Sequence, residues 1–390
     1  MEVFHTESKV IITCNKRLSP YLQKEVEELG FKPARVFQTG IELNATVNDC
    51  IALNLNLRCA SQVIYLLKSF TAPDPQKLYD ELVQIEWEKL IDFTGYFSVT
   101  SNVNNEHITT PLFANVKVKD AIVDRIKDKK GIRPNSGADQ NKTVIHLYWQ
   151  DDRAEIFLDT SGETLAKHSY RKIPGKAPML EALAASTIMA TNWDRNSTFI
   201  NPMCGSGTLA IEAALLATDK SPGFFRMNYG FMHVIGYEEE VFFTERRKLK
   251  DKAKKQLNFK IIATDISDDA VDIARKNANT AGVEHLIDFG VCDFADTQVP
   301  EEKGVIMFNP EYGERLGTHT KLEATYRRMG DFMKQNCKGY RGYIFTGNPD
   351  LAKRIGLQAS RRIEFYNGKL DCRLLEYELY EGTRRVDKVD

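Results

Sequence analysis

From its amino end the chain alternates short apolar runs with amphipathic stretches. Residues 9–14 form an apolar run that predicts a strand, and residues 18–29 carry helical spacing closed by Gly30. Residues 31–43, interrupted by Gly40, predict paired strands, and 48–57 a helix. A second unit then begins, with strands at 63–70 and 97–103, helices at 75–84 and 112–127, and a strand pair at 143–149 and 154–158. Such alternation without a nucleotide loop predicts small α+β layers.

Residues 159–178 read as a linker, holding Ser161-Gly162, Pro174-Gly175 and Lys167-His168-Ser169-Tyr170-Arg171-Lys172. Beyond it the rhythm changes. A helix at 179–193 precedes strands at 198–201, 260–264, 287–291, 305–308 and 342–346, alternating with helices. That pattern predicts an α/β domain built on a parallel, doubly wound sheet with right-handed crossovers. Residues 362–365 and 373–380, joined through Asn367-Gly368, predict a terminal hairpin. The expected division is therefore 1–57, 58–158, a linker at 159–178, and 179–390.

Composition narrows the class. At 390 residues the chain exceeds one compact core, and 42% hydrophobic with 27% charged residues is ordinary for a soluble globular protein. Met1-Glu2-Val3-Phe4-His5 lacks the basic start of a signal peptide, and no apolar run is long enough for a membrane span. Seven cysteines without a CxxC pair argue against a disulfide framework and against a zinc site, so no metal is expected. A cytoplasmic location fits. The net charge of −1 means that any nucleic-acid footprint must be local.

The first chemical signal is Asn201-Pro202-Met203-Cys204-Gly205-Ser206-Gly207-Thr208, which leads from a strand through a glycine turn into a helix. Gly205 and Gly207 permit a tight turn, and the free N–H groups of the helix start face whatever lies beside it. The spacing is not GxGxxG, so a dinucleotide site and a nicotinamide dehydrogenase are poorly supported. The next strand ends in Asp265, suited to ribose hydroxyls, and the one after in Asp293, suited to an adenine amine. Each acid alone could be a helix cap. Two on successive strands after a glycine turn favour a nucleoside site. Cys204 fits the turn as a small residue rather than a nucleophile.

The second signal is an apolar strand, Val305-Ile306-Met307-Phe308, running into Asn309-Pro310-Glu311-Tyr312-Gly313-Glu314-Arg315-Leu316-Gly317. The lone pair of an exocyclic base amine is delocalised into the ring. Acceptors for both its hydrogens localise that pair toward an electrophile, and the Asn309 side-chain oxygen and Pro310 carbonyl are suitable. Tyr312 offers a flat face for an extruded base. Positioning, rather than a general base, would carry the rate.

These stretches closely resemble the NPPYGERLG and DPMCGSGT signatures of the THUMP-domain class I RNA methyltransferases. Asp159-Thr160-Ser161-Gly162, Tyr170-Arg171, Ala177-Pro178, Thr346-Gly347-Asn348-Pro349 and Phe365-Tyr366-Asn367-Gly368-Lys369-Leu370 match as well. The likeness covers about residues 40–385 and is most specific in the second half. It points to the bacterial 23S rRNA guanine-N2-methyltransferases of the YcbY/YpsC type. The resemblance implies a ferredoxin-like unit and an RNA-binding THUMP domain ahead of a Rossmann-like methyltransferase domain. It also implies S-adenosyl-L-methionine as cofactor and 23S ribosomal RNA as partner. The implied catalytic residues are Asn309, Pro310 and Tyr312. The implied cofactor set is Asn201, Pro202, Cys204, Gly205, Ser206, Gly207, Thr208, Asp265, Ile266, Asp293, Phe294 and Asn309. Two departures stand out: Asn201 replaces the family's Asp, and Glu311 replaces its second Pro, restoring an N–H and adding a carboxylate beside the base pocket.

Candidate RNA contacts are Glu311, Lys117, Lys119, Lys129, Lys130 and Arg133, with Tyr170 and Arg171 in the link guiding a strand toward the pocket. The seven basic residues in 246–255 are read as a solvated helix face, and His168 and His319 as surface residues. Two other readings stay open: an adenine-N6 methyltransferase acting on nucleic acid, and an RNA-binding ribosome-assembly protein with a decayed catalytic domain.

Overall fold

The computed structural model describes residues 2–106, 108, 110–173, 179–312 and 319–380, with no side-chain description at His319. Contact density divides the chain into two compact units, Met1–His168 with Ser221–Asp251, and Ser169–Lys220 with Lys252–Asp390.

In the first unit β1 (Ser8–Thr13), β2 (Arg35–Phe37), β3 (Gly40–Ala45), β4 (Gln62–Thr71), β5 (Tyr96–Asn104), β6 (Asn135–Gly137), β7 (Thr143–Gln150) and β8 (Arg153–Asp159) form a single sheet. Its order is β2-β3-β1-β4-β8-β7-β5-β6. The expected break at 57/58 therefore runs through a continuous ladder, because β4 pairs with β1 on one edge and with β8 on the other. Unpaired strand edges expose backbone donors and acceptors, and joining two small layers edge to edge satisfies them. The helix Pro111–Lys130 is longer than predicted and stops at Gly131, whose φ of 72° ends it in the left-handed region.

Although it lies within 179–390, the segment Ser221–Asp251 packs with the first unit. Gly230 makes this return possible: a Cβ there would sit 2.3 Å from the Asp159 carbonyl oxygen. The Gly230 and Phe231 N–H groups donate to Ser161 and Thr160 (3.1 and 3.0 Å). Tyr229, Phe231 and Phe242 form a ring cluster beside that contact. The start of the supposed linker is likewise interior, with Asp159, Thr160 and Ser161 fully buried. His168 is buried rather than on the surface, its Nε2 lying 2.9 Å from the Arg58 carbonyl.

The second unit holds β9 (Thr198–Pro202), β10 (Ile261–Asp265), β11 (Ile287–Val291), β12 (Gly304–Phe308), β13 (Arg341–Thr346), β14 (Arg361–Asn367) and β15 (Leu370–Glu378). Their order is β11-β10-β9-β12-β13-β15-β14, the first five parallel and the terminal hairpin antiparallel. This is the expected Rossmann-like α/β sheet. β9 is buried along its whole length, the polar Thr198 and Asn201 included. The helices Thr208–Ala217, Asp268–Thr280 and His319–Asn336 follow β9, β10 and β12. The last of these, implied by the alternation, had been given no bounds of its own. Its buried face, with Tyr326, Met329, Phe332 and Met333, packs on Ile306 and Phe308. From β9 the chain crosses to β10 on one side, while β12 lies on the other. Strand order reverses there, so a crevice opens at the carboxyl ends of β9 and β12. Among the described residues no helix is long and apolar enough to cross a membrane.

Candidate active site

The carboxyl ends of four neighbouring strands are tied together by hydrogen bonds. Asn201, at the end of β9, donates its Nδ2 to the Met307 carbonyl of β12 (2.9 Å). The Cys204 N–H donates to the Thr264 carbonyl of β10 (2.9 Å), and the Cys292 N–H, just past β11, to the Asp265 carbonyl (3.0 Å). The Asp265 carboxylate completes the lacing by accepting the Gly205 N–H (2.9 Å) on one oxygen and the Ser267 N–H (3.0 Å) on the other.

The turn between β9 and its helix is shaped for close approach. Met203, Gly205 and Gly207 all have positive φ (58°, 54° and 81°). A Cβ on Gly207 would come within 2.8 Å of the Ala274 Cβ, so this glycine lets two helices pack closely. At Gly205 nothing lies within 4 Å of that position, so the turn is open where a ligand would meet it. Burial pushes the Cys204 thiol well above its ordinary range, and the nearby Asp265 charge adds to this, so it is no nucleophile.

Two buried acceptors at these strand ends lack a donor. Asn201 is 1% exposed, and its Oδ1 has no hydrogen-bond partner. The Oδ1 of Asn309, at the end of the adjacent strand, is also unpaired. A buried carbonyl oxygen without a donor costs about 1–3 kcal/mol, so such an atom points to a missing partner that carries N–H groups.

The remaining sequence-derived residues sort clearly. Pro310 is buried, Glu311 exposed, and Asn309 and Tyr312 half-buried. The Tyr312 hydroxyl accepts from Asn367 Nδ2 (2.8 Å), and its ring stands edge-on to Phe345. Burial raises the Tyr312 phenol to about 12, so it stays neutral. Tyr326 donates to the Glu311 carbonyl (3.4 Å) and also touches Thr346 Oγ1 (3.0 Å), fixing the loop from beneath. Ile266 and Val291, 73% and 51% exposed, give an apolar rim at the ends of β10 and β11. Burial raises the Asp293 carboxyl, but the Ala295 N–H and the Arg328 guanidinium outweigh it and hold it below its ordinary value. Gly313 to Gly317 and Ala177-Pro178 lie outside the described residues.

Three expected roles meet interior positions. The Phe294 side chain is in the core, edge-on to Phe308 and Phe332, so only its main chain could face a cofactor. Tyr170 is fully buried and cannot meet RNA. Arg171 is also turned inward: it lies 3.4 Å from Glu181 and donates to Thr208 Oγ1 (3.1 Å) and to the Met179 carbonyl (2.5 Å). A charge this enclosed needs such partners and buttresses the start of the glycine-turn helix instead. In the first unit Lys129, Lys130 and Arg133 are exposed, and Lys117 and Lys119 partly so. Of the 246–255 cluster, Arg246 packs onto the carbonyls of Gly223 and Arg226 while most of the others are solvated.

Asn367 and Arg328 were missed as site residues. Asn367 stood inside a matching motif, and only its position across from Tyr312 gives it a task. A cavity of about 330 Å³ lined by Arg195, Lys254, Asn258 and Phe259 lies at the opposite, amino ends of β9 and β10 and includes none of these residues. Among the described residues no cluster of His, Cys, Asp or Glu could hold a metal ion.

A Rossmann-like sheet with a glycine turn after its first strand, acids on the next two and an Asn-Pro-x-Tyr loop after the fourth defines a class I methyltransferase domain. Residues 168–376 match the family described as RMKL-like, methyltransferase domain, and the chain belongs to that family. Residues 9–64 match the RlmL ferredoxin-like domain and 72–159 the THUMP domain. The chain is 34% identical over 384 residues to the ribosomal RNA large subunit methyltransferase K/L of Syntrophotalea carbinolica, covering 96% of this chain and 54% of that protein. It thus spans about half the length of the curated relatives it matches. Among solved structures, SMU.472, named as a methyltransferase and crystallised with SAH, superposes with a TM-score of 0.87 at 25% identity, covering 97% of this chain and 99% of that one. A protein from Listeria monocytogenes named as an N6-adenine-specific DNA methylase superposes at 0.86 with 29% identity, covering 96% and 97%.

Proposed function

We propose that the protein transfers a methyl group from S-adenosyl-L-methionine to the exocyclic N2 of a guanosine in 23S rRNA, in the cytoplasm. The observation that carries this reading is the pair of unpaired, buried carbonyl oxygens on Asn201 and Asn309 at adjacent strand ends. Asn201 would accept from the ammonium of the cofactor's methionine end. Gly205, Ser206 and Gly207 would let the cofactor approach the turn, Asp265 would reach the ribose, and Asp293 the adenine amine. The SAH bound to SMU.472, on a chain of the same fold over its full length, supports this cofactor.

When bound, S-adenosyl-L-methionine supplies a sulfonium methyl whose C–S bond breaks as an amine nitrogen forms the new bond and sheds a proton. The chain's own residues make the amine able to attack. Asn309 Oδ1 and the Pro310 carbonyl accept its two hydrogens, and the neutral Tyr312 ring, anchored by Asn367, stacks on the base. The exposed Glu311 carboxylate favours guanine, whose N1–H is a donor; adenine presents an acceptor there. Lys117, Lys119, Lys129, Lys130 and Arg133 would hold RNA phosphates.

The test is to incubate the protein with methyl-labelled cofactor and unmodified 23S rRNA, then digest to nucleosides. Label in N2-methylguanosine is expected. Label in N6-methyladenosine would move the assignment to adenine, and SAH binding without any label would favour the decayed RNA-binding protein.

A further inference from the structure

We infer that Arg328 is a positioning residue that turns Asp293 so that its second carboxylate oxygen faces the adenine amine of the cofactor. The inference rests on the cofactor reading above and goes beyond it, because Arg328 belongs to neither the glycine turn nor the base-gripping loop.

Asp293 begins the short helical turn Phe294–Asp296, and its Oδ1 accepts the Ala295 N–H at 2.9 Å. Arg328, on the helix after β12, donates Nη2 to the same Oδ1 at 2.7 Å. With two donors on one oxygen the carboxylate is pinned in one rotation. Oδ2, which takes neither bond, is the acceptor left for a ligand donor.

The guanidinium is itself held in place. It lies over the Phe294 ring, 4.9 Å from the centroid, and that ring is wedged edge-on between Phe308 and Phe332 in the core. The helix carrying Arg328 is locked by its buried face, so Arg328, 51% exposed, can be replaced without removing a core residue. A half-exposed ion pair of this kind adds little to folding. Its effect is orientational and should appear in ligand selectivity. Beside it, exposed Ile266 and Val291 offer the flat, apolar surface a purine ring needs.

Calorimetry with two probes tests this: S-adenosylhomocysteine, and S-inosylhomocysteine, whose exocyclic C6 carbonyl oxygen replaces the amine. The wild-type chain should prefer the first by roughly tenfold, the usual worth of one hydrogen bond to a charged group. Arg328→Ala should weaken S-adenosylhomocysteine roughly five- to tenfold and leave the inosine analogue within about twofold, collapsing the preference. Arg328→Lys, which keeps the charge without the flat fork, should fall between. Equal loss for both probes, or no loss for either, overturns the inference while leaving the cofactor reading standing. A wild-type chain that binds neither probe overturns both. Unchanged thermal melting of the two variants confirms that folding does not enter.

Discussion

Two buried polar clusters, one in each unit, are built from similar side chains and differ in how they are satisfied. In the first unit Asn54 donates to Cys50 O (2.8 Å) and Thr160 Oγ1 (2.9 Å), and accepts from Ser161 Oγ (2.6 Å). Thr160 donates in turn to the Val63 carbonyl (2.6 Å), and Asp159 accepts from Ser161, Gly162 and Gln62. In the second unit Asn201 and Asn309 each leave a carbonyl oxygen unpaired. A closed network fixes a fold; an open one at the end of a sheet keeps a place for a ligand. The difference teaches where to look for chemistry, since asparagine at a buried strand end is compatible with either use.

The contrast makes unequal predictions. The largest effect is on turnover. Asn309→Ala should lower kcat by about 10²–10³-fold, as loss of one oriented hydrogen-bond partner does, with SAH affinity changed less than about threefold. Because the lost oxygen has no partner in the fold, its removal should leave stability level or raise it, by up to about 3 kcal/mol. Full activity in that variant would mean the unpaired oxygen does nothing. Asn54→Ala should behave in the opposite way. It strands Thr160 and Ser161 groups, so urea unfolding should show a loss of about 2–4 kcal/mol while SAH affinity per folded molecule stays level. A loss under about 0.5 kcal/mol would erase the distinction between the clusters.

A smaller effect depends on pH. Burial lifts the Asp159 carboxyl to about 7 from its ordinary 3.8, against the opposing pull of the Gly162 and Ser161 N–H groups, Arg226 and Gln62. Its folded value lies above its unfolded one. The stability it contributes is therefore present below pH 3.8 and is lost as pH rises through 7, at up to about 1.4 kcal/mol per pH unit. Asp159→Asn should gain on the wild type by about 2 kcal/mol between pH 5 and 7, read by chemical denaturation. Parallel pH curves would contradict this.

The parallel sheet was legible because strands such as β12 and β13 are buried nearly throughout and read as apolar runs, while the edge strand β11 is only partly buried; β9 to β13 fall within one or two residues of the predicted bounds. The return of Ser221–Asp251 to the first unit was not, because nothing local reports which distant surface Gly230 touches. Tyr170 and Arg171 misled for a related reason. A tyrosine and an arginine between lysines in a linker-like stretch look available to RNA, and only the packed structure reveals Glu181 and Thr208 around the guanidinium. The strand-end acids and the Asn-Pro-Glu-Tyr loop were visible as chemistry. Their assignment to a particular cofactor and base came from family likeness. The Arg328–Asp293 and Asn367–Tyr312 contacts join residues 35 and 55 positions apart, beyond the reach of periodicity.

The most direct measurement is a crystal structure of the protein with SAH and guanosine soaked together. The account predicts Asn201 Oδ1 within about 3 Å of the ligand's ammonium and Asn309 Oδ1 at similar range from the guanine N2. Ligands seated elsewhere, with both oxygens still lacking a donor, would contradict it.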